Sequence, residues 1–453
     1  MPQGLTGAYL SVAKAGDSIW VAGYNDALLA TGESMLWGDL IVGRYDSGKQ
    51  AVQWETVDGL PPRAEGCAEH YPGGWRRGET DSGDNVGLWT SIQMAGEKPM
   101  VSYYDATNKR LKFAFKDDGW KSYVLKEAPN TDAGRYSKMI LVDGKPTVSF
   151  LLLEPGSNGS TRSKVVVARA NSELPREPGD WRFEDAAVED GGPCRGDCPG
   201  GQFCIKATGA CQSAVAGCTP DCGSGQKCVK IGDKATCSAV RDPASVVTYP
   251  NAFGDYISAA PGGMVVYDRV HGNLVALIEK GGKYDRLILD GETGSRPQNT
   301  AIDTGDVGIG ASLAITGAKW HVSYVNGFDE SLRYISLEGG VVGRSEIVDD
   351  GTQVDGKPFP DGKHVVGDDS SIRVDGDVVR IVYQDATAGT LRLATGTPAG
   401  ATRKWTLRTI SQPGRFAGFF PQMIPGENKI ANFWRSTDKV SKDILGDVAI
   451  VEP

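Results

Sequence analysis

Three features of the chain predict an all-β fold. It carries 60 glycines, many of them in turn pairs such as Asn-Gly and Pro-Gly. Its regular runs are rich in the β-branched and aromatic residues that suit a pleated surface. A glycine followed four residues later by a small polar residue recurs at Gly7/Ser11, Gly87/Ser91, Gly254/Ser258, Gly308/Ser312 and Gly367/Ser371, with Gly134/Lys138 and Gly418/Gln422 as substituted versions. Seven related units in 453 residues, too many for one ordinary core, predict a seven-bladed β-propeller of four-stranded antiparallel blades.

The clearest unit runs from Gly83 to Glu127. TSIQM and PMVSYYD flank a tight AGEK turn, DATNK leads into RLKFAF, and DDG leads into WKSYVL, which makes one four-stranded meander. In the other units a second strand is centred on Phe150, Tyr267, Tyr324, Tyr383 or Phe433, as on Tyr103 here, and Gly23 takes that place in the first. Third strands follow in every unit, from LIVGRYD to DVAIVEP, and fourth strands in six. The blades fall at about 7–58, 85–127, 132–188, 252–290, 306–349, 365–411 and 416–453, with a cysteine-rich module at 190–240 between the third and fourth. The last unit stops after its third strand, and MPQGLT is short for an outer strand. Upstream sequence is therefore expected to complete that blade, the alternative being a three-stranded one.

The repeat resembles a family of secreted bacterial β-propeller proteins, on Asp306-Val307-Gly308 with Ser312, on Val101-Ser102-Tyr103-Tyr104-Asp105-Ala106-Thr107-Asn108 with Leu111-Lys112, and on Tyr383-Gln384-Asp385-Ala386-Thr387 with Leu391-Arg392. The resemblance implies a fold and an extracellular setting, and supplies no catalytic residues. The cysteine module is similar to short modules of secreted proteins, myxobacterial ones among them.

Eight of the nine cysteines form two tandem sets, Cys194, Cys198, Cys204 and Cys211, then Cys218, Cys222, Cys228 and Cys237. Both share C-x-x-x-C-x-x-G-Q-x-C plus one further cysteine, so two bridges each are expected, paired alike in the two halves. Zinc binding is the rival reading, weakened by the lack of C-x-x-C pairs and nearby histidines. Such usage points to an oxidising compartment, and a leader upstream of MPQGLTGAYL is expected. Cys67 is the odd thiol, unpaired or intermolecular unless a disulfide anchors it to the module; with His70 it also matches a metal pair or a nucleophile and base. Arg195-Gly196-Asp197 spells an adhesion tripeptide, which without confirming context is not taken as a site.

A net charge of -9 and a pI near 5.2, with no basic block, exclude nucleic acid as the expected partner. No apolar run reaches the roughly 18 residues needed to span a bilayer. There is no G-x-S-x-G elbow and no H-E-x-x-H, the four histidines are scattered, and His321 reads as a packed strand residue. No cofactor is predicted. Asp105, Asp255, Asp306, Asp368, Asp369 and Asp385 are candidates for structural Ca²⁺ or for an acid–base pair, with solvated turn carboxylates as the default reading.

Loops between first and second strands are uniformly tight, whereas the opposite face carries every long segment, so ligand binding is expected there. Two residues after each repeat glycine stand Tyr9, Trp89, Tyr136, Tyr256, Gly310, Asp369 and Phe420, an aromatic column near the channel mouth, interrupted by a polar notch at Asp368–Asp369. Its rings are suited to stacking on sugars or to wedging the blades together. The candidate binding residues are Trp89, Tyr136, Asp255, Tyr256, Asp368, Asp369 and Phe420, with Trp75 and Arg76 from the long loop before the second unit. The expected function is an extracellular binding or adhesion protein for a glycan or a surface protein. The alternatives are a secreted hydrolase or lyase with an acidic site, and a structural subunit of a surface assembly.

Overall fold

A computed structural model describes residues 5–28, 34–60, 83–155, 161–190, 201–205, 210–231, 234–240, 252–291, 307–354, 356–410, 414–437 and 444–453. These form antiparallel sheets that follow one another along the chain. The first comprises β1 (Leu5–Ala15), β2 (Ser18–Leu28), β3 (Ser34–Asp46) and β4 (Ala51–Asp58). The second comprises β5 (Val86–Ala95), β6 (Lys98–Asp105), β7 (Arg110–Lys116) and β8 (Trp120–Lys126). The third comprises β9 (Asp132–Val142), β10 (Lys145–Pro155), β11 (Thr161–Ala170) and β12 (Trp181–Asp190).

Two small hairpins come next, β13 (Gln202–Ile205) with β14 (Ala210–Ser213) and β15 (Gln226–Ile231) with β16 (Lys234–Ala239). The fourth sheet is β17 (Phe253–Ala260), β18 (Gly263–Asp268), β19 (Asn273–Lys280) and β20 (Lys283–Asp290). In the fifth, β21 (Val307–Thr316), β22 (Lys319–Asn326) and β23 (Ser331–Glu338) are edged by two short pieces, β24 (Val341–Val342) and β25 (Glu346–Asp349). A short hairpin of β26 (Gln353–Val354) and β27 (Lys357–Pro358), not anticipated from sequence, precedes the sixth sheet of β28 (Val366–Asp375), β29 (Val378–Asp385), β30 (Thr390–Ala399) and β31 (Thr402–Ile410).

The last sheet has three strands of its own, β32 (Phe416–Met423), β33 (Ile430–Thr437) and β34 (Ile444–Val451). It joins the first through a single parallel pair, Leu5 with Gly446.

The core lies between sheets rather than within them. Met100, Phe113 and Phe115 of the second pack on Met139, Phe150 and Trp181 of the third. Equivalent clusters join first to second, third to fourth, fourth to fifth, fifth to sixth, sixth to seventh and seventh to first. Each fully buried aromatic or aliphatic side chain there contributes about 1.5–3 kcal/mol, so these seams hold the sheets together.

Tyrosine at the centre of the second strand adds a polar staple. Tyr103 donates to Asp58 at 2.6 Å and Tyr383 to Asp349 at 2.7 Å, and Tyr324 likewise reaches Asp290, each crossing to the last strand of the preceding sheet. Phe150 and Phe433 make the apolar version. Together these features give a propeller-like all-β arrangement.

Candidate functional site

The repeat glycine permits a close approach that any Cβ would block. A Cβ on Gly87 would lie 2.8 Å from the Leu40 Cα, and one on Gly134 would lie 2.9 Å from the Leu111 Cα, both in the third strand of the preceding sheet. Two residues on, the backbone turns left-handed in all seven units, with φ of 51° at Tyr9, 49° at Trp89, 55° at Tyr136, 52° at Tyr256, 61° at Gly310, 51° at Asp369 and 48° at Phe420. The ladder slips on either side of this residue, as between Val86 and Leu88 and between Leu88 and Ser91. Each first strand therefore carries a bulge that re-aims one side chain. For a non-glycine residue such a conformation costs about 1–3 kcal/mol and persists where the surroundings enforce it.

Five of the re-aimed residues form a continuous aromatic arc. Phe420 and Tyr9 have ring centroids 4.8 Å apart, Tyr9 and Trp89 5.6 Å, Trp89 and Tyr136 4.9 Å, and Tyr136 and Tyr256 5.0 Å. They line a cavity of about 340 Å³, in the size range of small-ligand sites, and Gly310 and Asp369 fill the gap in the arc. The rings thus touch neighbouring sheets, as the wedging reading expects, and also line the cavity.

Two residues further along, the small polar position explains itself. Ser11 Oγ accepts from the Ile92 amide at 3.1 Å, Ser91 from Met139 at 2.9 Å, Ser258 from Leu313 at 3.0 Å, Ser312 from Ile372 at 3.2 Å and Ser371 from Met423 at 3.5 Å. In every case the hydroxyl laces one first strand to the next. The two units that depart from serine supply Lys138 and Gln422, and both side chains line the cavity. Sequence reasoning treated them as imperfect repeats. Their departure from the pattern was the signal that they do something else.

Charge in the cavity is unevenly distributed. Arg269 lines it and is paired with buried Asp255 at 2.7 Å. Lys138 lines it without an ion pair or hydrogen bond to the described residues; burial pushes its amine below the usual lysine range, and the nearby Asp369 carboxyl offsets part of that. Asp369 accepts the Phe420 amide at 3.2 Å; burial, reinforced by neighbouring Asp368, raises its carboxyl to about 6. Burial also raises Asp368, which does not line the cavity, and holds Tyr136 and Tyr256 as neutral phenols.

Of the residues selected from sequence, Trp89, Tyr136, Tyr256, Asp369 and Phe420 therefore meet in one place, with Asp255 behind Arg269 and Asp368 beside the notch. Trp75, Arg76, His70, Cys67, Cys194, Cys198, Asp306 and the Arg195-Gly196-Asp197 tripeptide lie outside the described residues.

The reading of Asp105, Asp255 and Asp385 as solvated turn carboxylates is corrected: all three are buried and ion-paired. Asp105 caps the Asn108 amide at 3.0 Å and binds Arg110 at 2.8 Å, and Asp385 is shared by Arg392 and His364. In both sheets the aspartate that ends the second strand is thus paired with an arginine of the third. Glu189, Asp268 and His271 come together as a metal site would, but Arg286 already binds both carboxylates. His321 is buried against the Tyr334 hydroxyl at 2.7 Å.

In the second small hairpin, Cys218 is bonded to Cys228 and Cys222 to Cys237, which consumes these thiols as disulfides. In the first, Cys204 stands opposite Cys211 just as Cys228 stands opposite Cys237, and Cys211 is disulfide-bonded.

No protein-family model and no curated protein matches the chain. Among solved structures it is similar to a mutant of Trypanosoma rangeli sialidase displaying trans-sialidase activity, at 10% identity and a TM-score of 0.39, over 89% of this chain and 54% of that one. It is also similar to AofleA from Arthrobotrys oligospora, at 13% identity and a TM-score of 0.38 over 91% and 88%. A third is the N10 neuraminidase-like protein of A/little yellow-shouldered bat/Guatemala/060/2010, at 10% identity and a TM-score of 0.39 over 84% and 92%. The chain spans about half the length of the trypanosomal protein. Among the described residues no helix is long and apolar enough to cross a membrane.

Proposed function

We propose that the chain is a seven-bladed β-propeller, with its disulfide module inserted between the third and fourth blades, acting outside the cytoplasm as a glycan-binding protein. The carrying observation is the arc of five aromatic rings around a cavity that also presents an amine, a carboxylate and a carboxamide. Sugars offer C–H faces to aromatic rings and hydroxyls to polar groups, so this combination suits them. One observation favours a second reading: an aspartic acid with a pKa of about 6 is poised to exchange protons near neutrality, as a hydrolase or lyase requires. Against it, Asp369 is the one carboxylate that lines the cavity among the described residues, and glycosidases generally need two.

A glycan array probed with the whole chain tests the proposal. Hits are expected, with Trp89→Ala weakening them about tenfold at unchanged circular dichroism, since an aromatic contact contributes about 0.5–1.5 kcal/mol. An array without hits, joined to turnover of any arrayed glycan by the concentrated protein, would replace binding with catalysis. An empty array without turnover would remove both.

A further inference from the structure

The cavity's charges point to a class of sugar. This step rests on the glycan reading above. Lys138 rises from β9 and Asp369 from β28, strands that are not neighbours in the ring of first strands, because β17 and β21 lie between them on one side. Both side chains line the same cavity, yet no ion pair joins them. Arg269, the other cation there, is committed to Asp255. The pocket is therefore polarised, with an ammonium on one wall and a carboxylate acceptor on another, which attract each other across the cavity without making an ion pair. A half-buried amine with no hydrogen-bonding partner among the described residues is costly, and the site keeps this one in place of the serine that would lace β9 to β17.

We infer that the cavity takes a hexuronic acid residue, its carboxylate on Lys138 and its ring hydroxyls donating to Asp369. In a hexuronic acid the carboxylate at C5 and the hydroxyls at C2 and C3 lie on opposite edges of one ring, which matches the polarity of the walls. The aromatic arc stacks on the face between. A neutral hexose leaves the ammonium without an anion in contact. The chain's charge of -9 repels anions at long range, but screening confines that effect to roughly 8 Å at physiological salt, so the local ammonium decides recognition.

Calorimetric titration of the full chain at pH 7 with glucuronic, galacturonic and mannuronic acids, each against its parent hexose, tests the inference. At least one acid is expected to bind about tenfold or more tightly than its hexose, the scale of a hydrogen bond to a charged group. Lys138→Met should erase the difference and Lys138→Arg should keep it, with both variants folded by circular dichroism. Equal binding of acid and hexose overturns the carboxylate assignment while leaving the glycan reading intact. A preference that survives Lys138→Met overturns the role of Lys138. Binding of no sugar in either series, with an empty array, overturns both readings together.

Discussion

Replacing Lys138 with serine should make the protein more stable and less able to bind. At five junctions a serine hydroxyl accepts the amide of the residue five after the next repeat glycine, at 2.9–3.5 Å. By that rule the introduced hydroxyl would accept from the Ala259 amide in β17. A net intramolecular hydrogen bond contributes about 0.5–1.5 kcal/mol, and removal of an amine disfavoured by burial adds to it. We expect Lys138→Ser to gain about 1 kcal/mol, seen as a higher urea midpoint at unchanged slope. Hydrogen exchange at Ala259 should slow about fivefold, the equivalent of that energy. Sugar binding should be lost, a trade of function for stability. The reverse change, Ser91→Lys, strands the buried Met139 amide and should cost about 1–3 kcal/mol. A Lys138→Ser protein that is less stable, or whose Ala259 amide exchanges as before, would refute the lacing account. One that binds as before would remove Lys138 from the site.

Three other outcomes are expected. Arg392, 1% exposed, serves two fully buried carboxylates, binding Asp349 at 2.7 Å and also Asp385; Arg392→Met should cost about 3–5 kcal/mol in urea unfolding, where a surface pair would cost under about 1. His364 places Nδ1 2.8 Å from Asp385 and Nε2 3.0 Å from Asp361, two carboxylates that favour the imidazolium, and its ring stacks on Phe359. Burial alone would lower its pKa, but the bonds to Asp385 and Asp361 carry it above the usual value. Protection of 350–365 from protease should thus be full below about pH 6.5 and fall as pH rises through the raised value, with His364→Gln flattening the profile. Mass mapping of the unreduced protein should find Cys194 bonded to Cys204 and Cys198 to Cys211, following the second module; a Cys204–Cys211 bond would break the analogy.

The strand order was legible because glycine, serine and a central aromatic recur at fixed spacing, each with a mechanical reason: close approach, lacing and stapling. The five aromatics of the site were legible through the same spacing. The left-handed turn that aims them was not, because Tyr9 and Trp89 give no local sign of positive φ; the neighbouring strands impose it. Arg269 escaped notice because its relevance comes from pairing with Asp255 on the adjacent strand, a contact that no local motif announces. The aspartates of the turns looked solvated because their arginine partners stand on other strands, as with Asp385 and Arg392. Lys138 and Gln422 were visible as exceptions, and only the lacing of the other five units gives the exceptions meaning.

The two unlaced junctions have a mechanical consequence. One, between β32 and β1, is where the two ends of the described chain meet; the other, between β9 and β17, is where the disulfide hairpins enter the sequence. The lacing therefore divides the sheets into two stitched groups, the first three and the following four, and at the two unlaced junctions Tyr9 packs on Phe420 and Tyr136 on Tyr256. Those four rings are also the walls of the cavity. A ligand held between those rings would bridge both unlaced junctions and tie the two stitched groups together.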